Sequence, residues 1–208
     1  VLGSGTFNAG TLTFDSAGSV SISEDSSLDL VGTNAAGSAD LDSTAGVSDA
    51  GAASVSVAGL LDVSGTSIAF GSGVFNAGTL TFNSSGSVSI SEDSSLDLVG
   101  TNTAGSVDLD STADVSDAGA TSVDVTGLLD VSGTSVVLGS GTLNAGTLTF
   151  SSSGSVSISE DSSLDLVGTN TAGSANLDST ADLSDTGATS VDVTGLLDVS
   201  GTSVVLGS

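Results

Sequence analysis

One segment of this chain, GSVSISEDSSLDLVGTN, occurs three times without a single change, at 18–34, 86–102 and 154–170. The copies are 68 residues apart, so the chain is a tandem array of repeats 1–68, 69–136 and 137–204, and 205–208 begins another repeat. Tandem repetition is typical of solenoids, in which each unit stacks on its neighbours. Because neither end changes composition as a capping repeat would, we expect one continuous solenoid over 1–208, cut as a window from a longer array.

Short alternating runs within the repeat indicate β-strands. Val88-Ser89-Ile90 and Leu96-Asp97-Leu98 each place two apolar side chains on one face and a polar one on the other, which is strand periodicity. Gly, Ser, Asn and Asp separate such runs, and residues 100–105 are expected to form a turn. The predicted strands of one period are Thr79–Phe82, Ser87–Ile90, Ser95–Val99, Ser106–Leu109, Ala113–Ser116, Ser122–Val125, Leu128–Val131, Ser135–Leu138 and Thr142–Asn144.

Evenly spaced short strands with few aromatic residues predict an all-β fold, a parallel β-helix (β-solenoid). We expect about three strands per coil and about three coils per 68-residue repeat, each coil taking roughly 19 to 27 residues. The expected interior ladders are Leu80/Phe82 on Val107/Leu109 and Leu129/Val131, Val88/Ile90 on Ala113/Val115 and Val136/Leu138, and Leu96/Leu98 on Val123/Val125 and Leu143.

Two alternative architectures remain open from the sequence. Four Ser-Val starts, at Ser87, Ser106, Ser122 and Ser135, could mark four shorter coils per period, although their spacing is less even. An immunoglobulin-like sandwich would need about 100 residues and longer strands.

The charge of the chain is entirely negative. It contains no Lys, Arg, His, Cys, Met, Trp, Tyr or Pro, against 25 acidic residues, 22 of them Asp, for a net charge of −25. Ion pairs between side chains are therefore excluded, and so are nucleic acid and anionic lipid as partners, because both would be repelled. No apolar run reaches the roughly 20 residues of a membrane span. The missing cleavage sites for trypsin-like proteases suit an extracellular protein.

The units Gly-Ser-Val-x-Ile and Leu-Asp-Leu-x-Gly-Thr, such as 86–90 and 96–101, give the chain a family resemblance. It resembles the β-helical repeat stalks of large bacterial surface proteins, the filamentous haemagglutinin-like and giant repeat adhesins. The resemblance implies a right-handed parallel β-helix, secretion or attachment to the cell surface, and a role in adhesion, biofilm or surface filaments. It carries over no binding residues.

Catalysis has few candidate residues in this chain. Without His, Cys, Lys, Arg or Tyr, only hydroxyls and carboxylates remain for acid–base or nucleophilic work. The pair Glu92-Asp93, repeated at Glu24-Asp25 and Glu160-Asp161, would suit a carboxylate-only glycosidase. An active site copied once per repeat is unusual, so we expect these pairs to be solvated acidic corners and the protein not to be an enzyme.

Five aspartates of the middle period lie between inward apolar residues and should point outward: Asp97, Asp108, Asp114, Asp124 and Asp130. In the expected register Asp97 stacks on Asp124, and Asp108 stacks on Asp130, about 4.8 Å away. Like charges at that spacing repel. We therefore expect divalent cations, Ca²⁺ above all because it accepts several carboxylate oxygens in flexible geometry, to bridge these columns. No other cofactor is expected.

The sequence thus favours an extracellular or cell-surface structural protein that forms a stiff fibre or stalk. Its expected partners are divalent cations and other copies of itself, end to end or side by side. The alternative is a cation- or carbohydrate-binding adhesin module that uses the outward polar rows.

Overall fold

Parallel strands wind into a solenoid throughout the computed structural model, which describes residues 5–187 and 189–207. Every strand pairing in that part of the chain is parallel, and no helix occurs in it. The all-β parallel β-solenoid is therefore confirmed. The strands are β1 (Ser19–Glu24), β2 (Leu28–Leu30), β3 (Thr33–Ala36), β4 (Ser38–Ser43), β5 (Gly46–Asp49), β6 (Ser54–Gly65), β7 (Ser67–Phe70), β8 (Val74–Ser84), β9 (Ser87–Glu92), β10 (Leu96–Leu98), β11 (Thr101–Ala104), β12 (Ser106–Ser111), β13 (Asp114–Asp117), β14 (Ser122–Gly133), β15 (Ser135–Leu138), β16 (Thr142–Ser152), β17 (Ser155–Glu160), β18 (Leu164–Leu166), β19 (Thr169–Ala172), β20 (Ser174–Ser179), β21 (Asp182–Asp185), β22 (Ser190–Val193), β23 (Leu197–Ser200) and β24 (Ser203–Val205).

The core is a continuous column of aliphatic side chains. In β9, Val88 and Ile90 point inward and are buried, while Ser89 and Ser91 between and after them are exposed. The same alternation recurs along the other strands, and the inward side chains of successive coils pack into one cluster. Each buried Val, Leu or Ile contributes about 1.5–3 kcal/mol. A single coil buries too few of them to be stable alone, so stability comes from the stack.

One coil takes about 20 residues. Seven successive pairings carry Leu28 to Leu166, through Val47, Ile68, Val88, Val107, Leu129 and Leu148. Leu164, the counterpart of Leu28 two repeats later, precedes Leu166 by only two residues. Two repeats therefore correspond to about seven coils. The prediction of about three coils per repeat is confirmed, and the register refines it to about three and a half.

A half-integral number of coils rotates each repeat by about half a turn relative to the one before it. Leu61 and its counterpart Leu129 accordingly lie in different strand stacks. Leu61 pairs with Leu80, which pairs with Leu98, whereas Leu129 belongs to the stack of Val88 and Val107. The third counterpart, Leu197, returns to the stack that contains β10 and β13. Identical sequence positions therefore face opposite sides of the solenoid in consecutive repeats.

The second step of each predicted ladder is confirmed and the first step is wrong. The pairings Val107–Leu129, Val115–Val136 and Val123–Leu143 form as predicted. The first steps instead join Leu80 to Leu98, Val88 to Val107 and Leu96 to Val115. The prediction assumed long first coils, but the coils there take only 18 or 19 residues, as the pairing offsets show.

A further strand was missed by the sequence reasoning. Residues 100–105, predicted as a turn, contain β11, which pairs with β14 above it and touches β8 below it. Its inward residues are Asn102 and Ala104, neither of them a large apolar side chain, so its alternation is not visible as a hydrophobic pattern. The parallel register also excludes four coils per period and a sandwich.

Candidate functional site

The predicted carboxylate column of Asp108 and Asp130 is confirmed by the strand register. The two residues lie directly opposite each other in β12 and β14, and Asp110 lies two positions further along β12. Partial desolvation raises the pKa of Asp108, and the Asp110 and Asp130 carboxylates raise it further. The pKa of Asp130 is also raised, mainly by partial desolvation and to a smaller extent by the negative charge of Asp110. In the first repeat the counterparts of this cluster are Asp40, Asp62 and Asp42, and in the third they are Asn176, Asp198 and Asp178.

The predicted stacking of Asp97 on Asp124 is wrong. Asp97 lies opposite Ser116, whose hydroxyl donates a 3.0 Å hydrogen bond to Asp97 Oδ1. Asp124 lies between Thr103 below it and Asn144 above it. The error has the same cause as the ladder error, because the coil from β10 is 19 residues long and ends at β13.

Asp114 also has a neutral neighbour rather than a second carboxylate. It lies opposite Ser135, and its Oδ1 accepts a 2.7 Å hydrogen bond from the Thr134 hydroxyl. Among residues 5–187 and 189–207, no group of three or more potential ligand side chains is arranged to hold a metal ion. Calcium at these aspartates therefore stays a prediction.

The Glu-Asp corners are built into the hydrogen-bonding of the solenoid. Glu92 is 1% exposed, and its carboxylate accepts hydrogen bonds from the Ala77 N–H at 3.1 and 3.3 Å and from the Ser94 hydroxyl at 2.8 Å. Asp93 Oδ2 accepts the Phe75 N–H at 2.9 Å. The expectation of a solvated corner is therefore wrong for Glu92.

These carboxylates replace the carbonyl groups of a strand that is absent at this corner. The strand segment of Phe75 and Ala77 would otherwise present unsatisfied N–H groups, which are costly in a buried position. The same bonds recur at Glu24-Asp25 and Glu160-Asp161. Burial raises the pKa of Glu92 and of Glu160, and the hydrogen bonds from Ser94 and Ala77, or Ser162 and Ala145, oppose that rise.

A buried asparagine forms a second kind of corner. Asn102 is fully buried; its Oδ1 accepts the Phe82 N–H at 3.0 Å, and its Nδ2 donates to the carbonyls of Val99 at 3.0 Å and Ser122 at 3.4 Å. It lies where β8 is followed, one coil up, by the two short strands β10 and β11. Asn34 and Asn170 occupy the same position in the other repeats. Sequence reasoning did not identify these residues.

A buried aspartate forms a third kind of corner. The Asp117 carboxylate accepts the N–H groups of Gly139 at 3.0 Å and of Ser140 at 3.1 and 3.2 Å. Asp49 makes the same bonds one repeat earlier. This position is Asp in all three copies, but so is the outward position of Asp130, so comparison of the repeats alone does not identify the role of Asp117.

Two matching grooves open on the outer surface, each with a volume of about 220 Å³. Each lies where the corner after a long strand meets the next two coils. The second-repeat groove is lined by Ser84, Ser85, Thr103, Ala104, Gly105, Asp124 and Thr126, and the third-repeat groove by Ser152, Ser153, Thr171, Ala172, Gly173, Asp192 and Thr194.

We expect the solenoid to become more stable on mild acidification. The pKa values of Asp40, Asp62, Asp108, Asp130, Glu92 and Glu160 are raised above their ordinary values of 3.8 and 4.5. The folded chain therefore binds protons more tightly than the unfolded chain, and this stabilisation is complete below about pH 4 and is lost as the pH rises through the raised values. The melting temperature should be a few degrees higher at pH 4.5 than at pH 7.

Thermal melts followed by circular dichroism between pH 4 and 8 measure this dependence. The double variant Asp108→Asn with Asp130→Asn should show a shallower slope, because two of the responsible groups are gone. A melting temperature that falls on acidification would contradict the expectation.

Comparison of the chain with protein-family models, with curated proteins and with solved structures finds no match. Within residues 5–187 and 189–207 there is no helix of sufficient length and apolar character to span a membrane. The tandem repeats and the parallel solenoid are consistent with the β-helical repeat stalks that the sequence motifs resemble.

Proposed function

We propose that this chain is part of an extracellular structural rod or stalk on a bacterial surface, and that the number of repeats sets the length of the rod. The observation that carries the proposal is the unbroken stack. Each repeat continues the parallel register of the previous one across the junctions at 68/69 and 136/137. In the described part of the chain every buried side-chain nitrogen and oxygen has a hydrogen-bond partner. A stack of this kind resists bending because each coil is bonded to the next along its length.

The role that we propose is mechanical and does not include catalysis. The carboxylate pair best placed for glycosidase chemistry contains Glu92, which is buried and engaged with Ala77 and Ser94. Those contacts account for its presence in every repeat without a substrate.

In this proposal the acidic surface controls how rods interact side by side. With coils about 4.8 Å apart, 25 charges on about ten coils amount to one charge per roughly 2 Å of rod, close to duplex DNA. Bare rods of this charge repel one another. Ca²⁺ is the cation that we propose to collect between neighbouring rods, with the Asp108 and Asp130 columns among its contact points.

Small-angle X-ray scattering on chains with three, six and nine repeats tests the rod. Three and a half coils at about 4.8 Å give about 17 Å per repeat. The maximum dimension should therefore increase by about 17 Å for each added repeat, while the cross-section stays constant. Separate globular units on flexible linkers would instead give a broad distribution of dimensions, and that result would overturn the proposal.

The same samples separate the contribution of calcium from that of the fold. Adding CaCl₂ in place of NaCl at equal ionic strength should increase the cross-section through lateral association, and a chelator should reverse the increase. An unchanged cross-section would remove calcium from the proposal and leave the rod in place.

A further inference from the structure

The two grooves contain a carboxylate that the fold does not use. Asp124 is exposed, and its carboxylate accepts no hydrogen bond from any residue in 5–187 or 189–207; the same holds for the Asp192 carboxylate. This sets them apart from Asp97, Asp114 and Asp117, whose carboxylates all accept hydrogen bonds from the chain. A free carboxylate in a groove is available to a ligand.

Hydroxyl groups surround this carboxylate. Thr103 is the residue paired with Asp124 on the coil below, and Thr126 follows two positions along the same strand. Ser85 also lines the groove. Since the hydroxyl hydrogens of Thr103 and Thr126 are given to Asn83 Oδ1 and the Gly105 carbonyl, their oxygens are free to accept. The groove thus offers mainly acceptors.

The first repeat provides a natural comparison, because its backbone winds in the same way and its groove residues differ. At the positions of Ser85, Thr103, Asp124 and Thr126 it has Ala17, Ala35, Ser56 and Ala58. The strand pairing of Ala35 with Ser56 reproduces that of Thr103 with Asp124. The hydroxyl and carboxyl side chains at these four positions, apart from the serine at Ser56, are therefore a property of the second and third repeats and are not needed for the fold.

We propose that each of these two grooves binds a single amino-sugar unit. The ammonium group pairs with Asp124 or Asp192, because a carboxylate and a cationic donor form the stronger class of hydrogen bond. The sugar hydroxyls donate to the acceptor oxygens of the threonines. A volume of about 220 Å³ is below the 300–1,000 Å³ of drug-sized pockets, so it suits one small ring. The negative field of the chain attracts a cation and adds to this preference.

The half-turn between repeats places the two grooves on opposite sides of the solenoid, about 17 Å apart along its axis. One small ligand cannot reach both. Binding is therefore expected with two equivalents per chain and without cooperativity. In a longer rod the sites would alternate from side to side, which suits contact with glycans on two surfaces. This inference stands on the groove geometry and does not depend on the proposed rod function.

Titration with glucosamine, followed by nuclear magnetic resonance at constant ionic strength, tests the proposal. Two sites should saturate, and the double variant Asp124→Asn with Asp192→Asn should weaken binding at least tenfold. The control Asp130→Asn with Asp198→Asn removes the same charge outside the grooves and should leave binding unchanged. Equal weakening in both variants would show diffuse attraction of a cation and would overturn the proposal. Glucose, which lacks the ammonium group, should bind at least tenfold more weakly than glucosamine.

A gain-of-function variant keeps the test independent of any loss of folding. Four substitutions at outward or corner positions together rebuild the groove in the first repeat: Ala17→Ser, Ala35→Thr, Ser56→Asp and Ala58→Thr. The number of equivalents bound should rise from two to three. If the rebuilt repeat binds nothing while circular dichroism shows an intact solenoid, the assignment is wrong.

Discussion

Replacing Asn102 by leucine should lower the free energy of unfolding by about 2–4 kcal/mol, although the two side chains are similar in size. The leucine would leave the Phe82 N–H without its 3.0 Å acceptor in a fully buried corner, and it would remove the Asn102 donor from the carbonyls of Val99 and Ser122, of which Val99 keeps the Thr81 hydroxyl at 2.8 Å. Each buried backbone group that loses its hydrogen bond costs about 1–3 kcal/mol. No water can reach the site to replace the bonds without opening the coil. Chemical denaturation followed by circular dichroism measures the loss.

A matched substitution separates this effect from a general loss of polarity. Asn176 is exposed on an outward column, and Asn176→Leu should change stability by no more than about 0.5 kcal/mol. Asn102→Asp keeps the acceptor for Phe82 but turns a carboxylate oxygen toward the Val99 carbonyl, so it should be destabilising as well. If Asn102→Leu were as stable as Asn176→Leu, the asparagine would not be what holds the corner.

The Asn and Glu-Asp corners together explain why the repeat contains a half-integral number of coils. At Glu92-Asp93 one strand stack ends, because carboxylates satisfy the N–H groups of Phe75 and Ala77. Ten residues later, at Asn102, the stack of β8 continues as the two stacks of β10 and β11. Because one stack ends while another divides into two, each coil keeps about three strands, but the long strands of the next repeat lie on the other side of the solenoid. This is the physical origin of the half-turn between repeats.

Strand identity could be predicted from the sequence because it depends on local alternation. Runs such as Val88-Ser89-Ile90 show which side chains are buried whatever their neighbours in space are. The register could not be predicted in the same way, because it depends on how much chain each corner uses. Thr101–Ala104 was missed since its inward residue is Asn102, and one missed strand was enough to displace the pairing of Asp97 and Asp124.

The acidic residues also divide into those whose placement could be predicted from the sequence and those whose placement could not. Asp108 and Asp130 were correctly paired because the strands that carry them alternate clearly and are separated by one simple coil. Glu92 and Asp117 were not recognised as inward, because their partners are backbone N–H groups 15 to 23 residues away. Composition suggests that every acid on this chain is a surface charge. The structure shows that one set of them takes the place of missing backbone acceptors.

Gly141→Ala should be the most damaging change of a small residue in the chain, lowering the free energy of unfolding by about 3 kcal/mol or more. A Cβ atom at Gly141 would lie 2.0 Å from the Thr121 carbonyl oxygen and 2.8 Å from the Thr121 nitrogen of the coil below. Backbone atoms cannot move aside as a flexible side chain can, so the coils must separate at this corner. The separation would also break the 2.9 Å bond from the Thr142 N–H to the Thr121 carbonyl.

Hydrogen exchange locates the damage and links it to function. In Gly141→Ala the amides of β14 and β16 should lose protection, while those of β1 and β4, several coils away, should keep theirs, because each coil contacts only its neighbours. Gly10→Ala is the control, since no atom lies within 4 Å of a Cβ at that position. A rod that depends on an unbroken stack would bend or open at the substituted coil, and scattering from a long array should then show a shorter maximum dimension. Full protection of β14 and β16 in Gly141→Ala would mean that the coils can move apart at this corner without cost, and a stack that loose could not form a stiff rod.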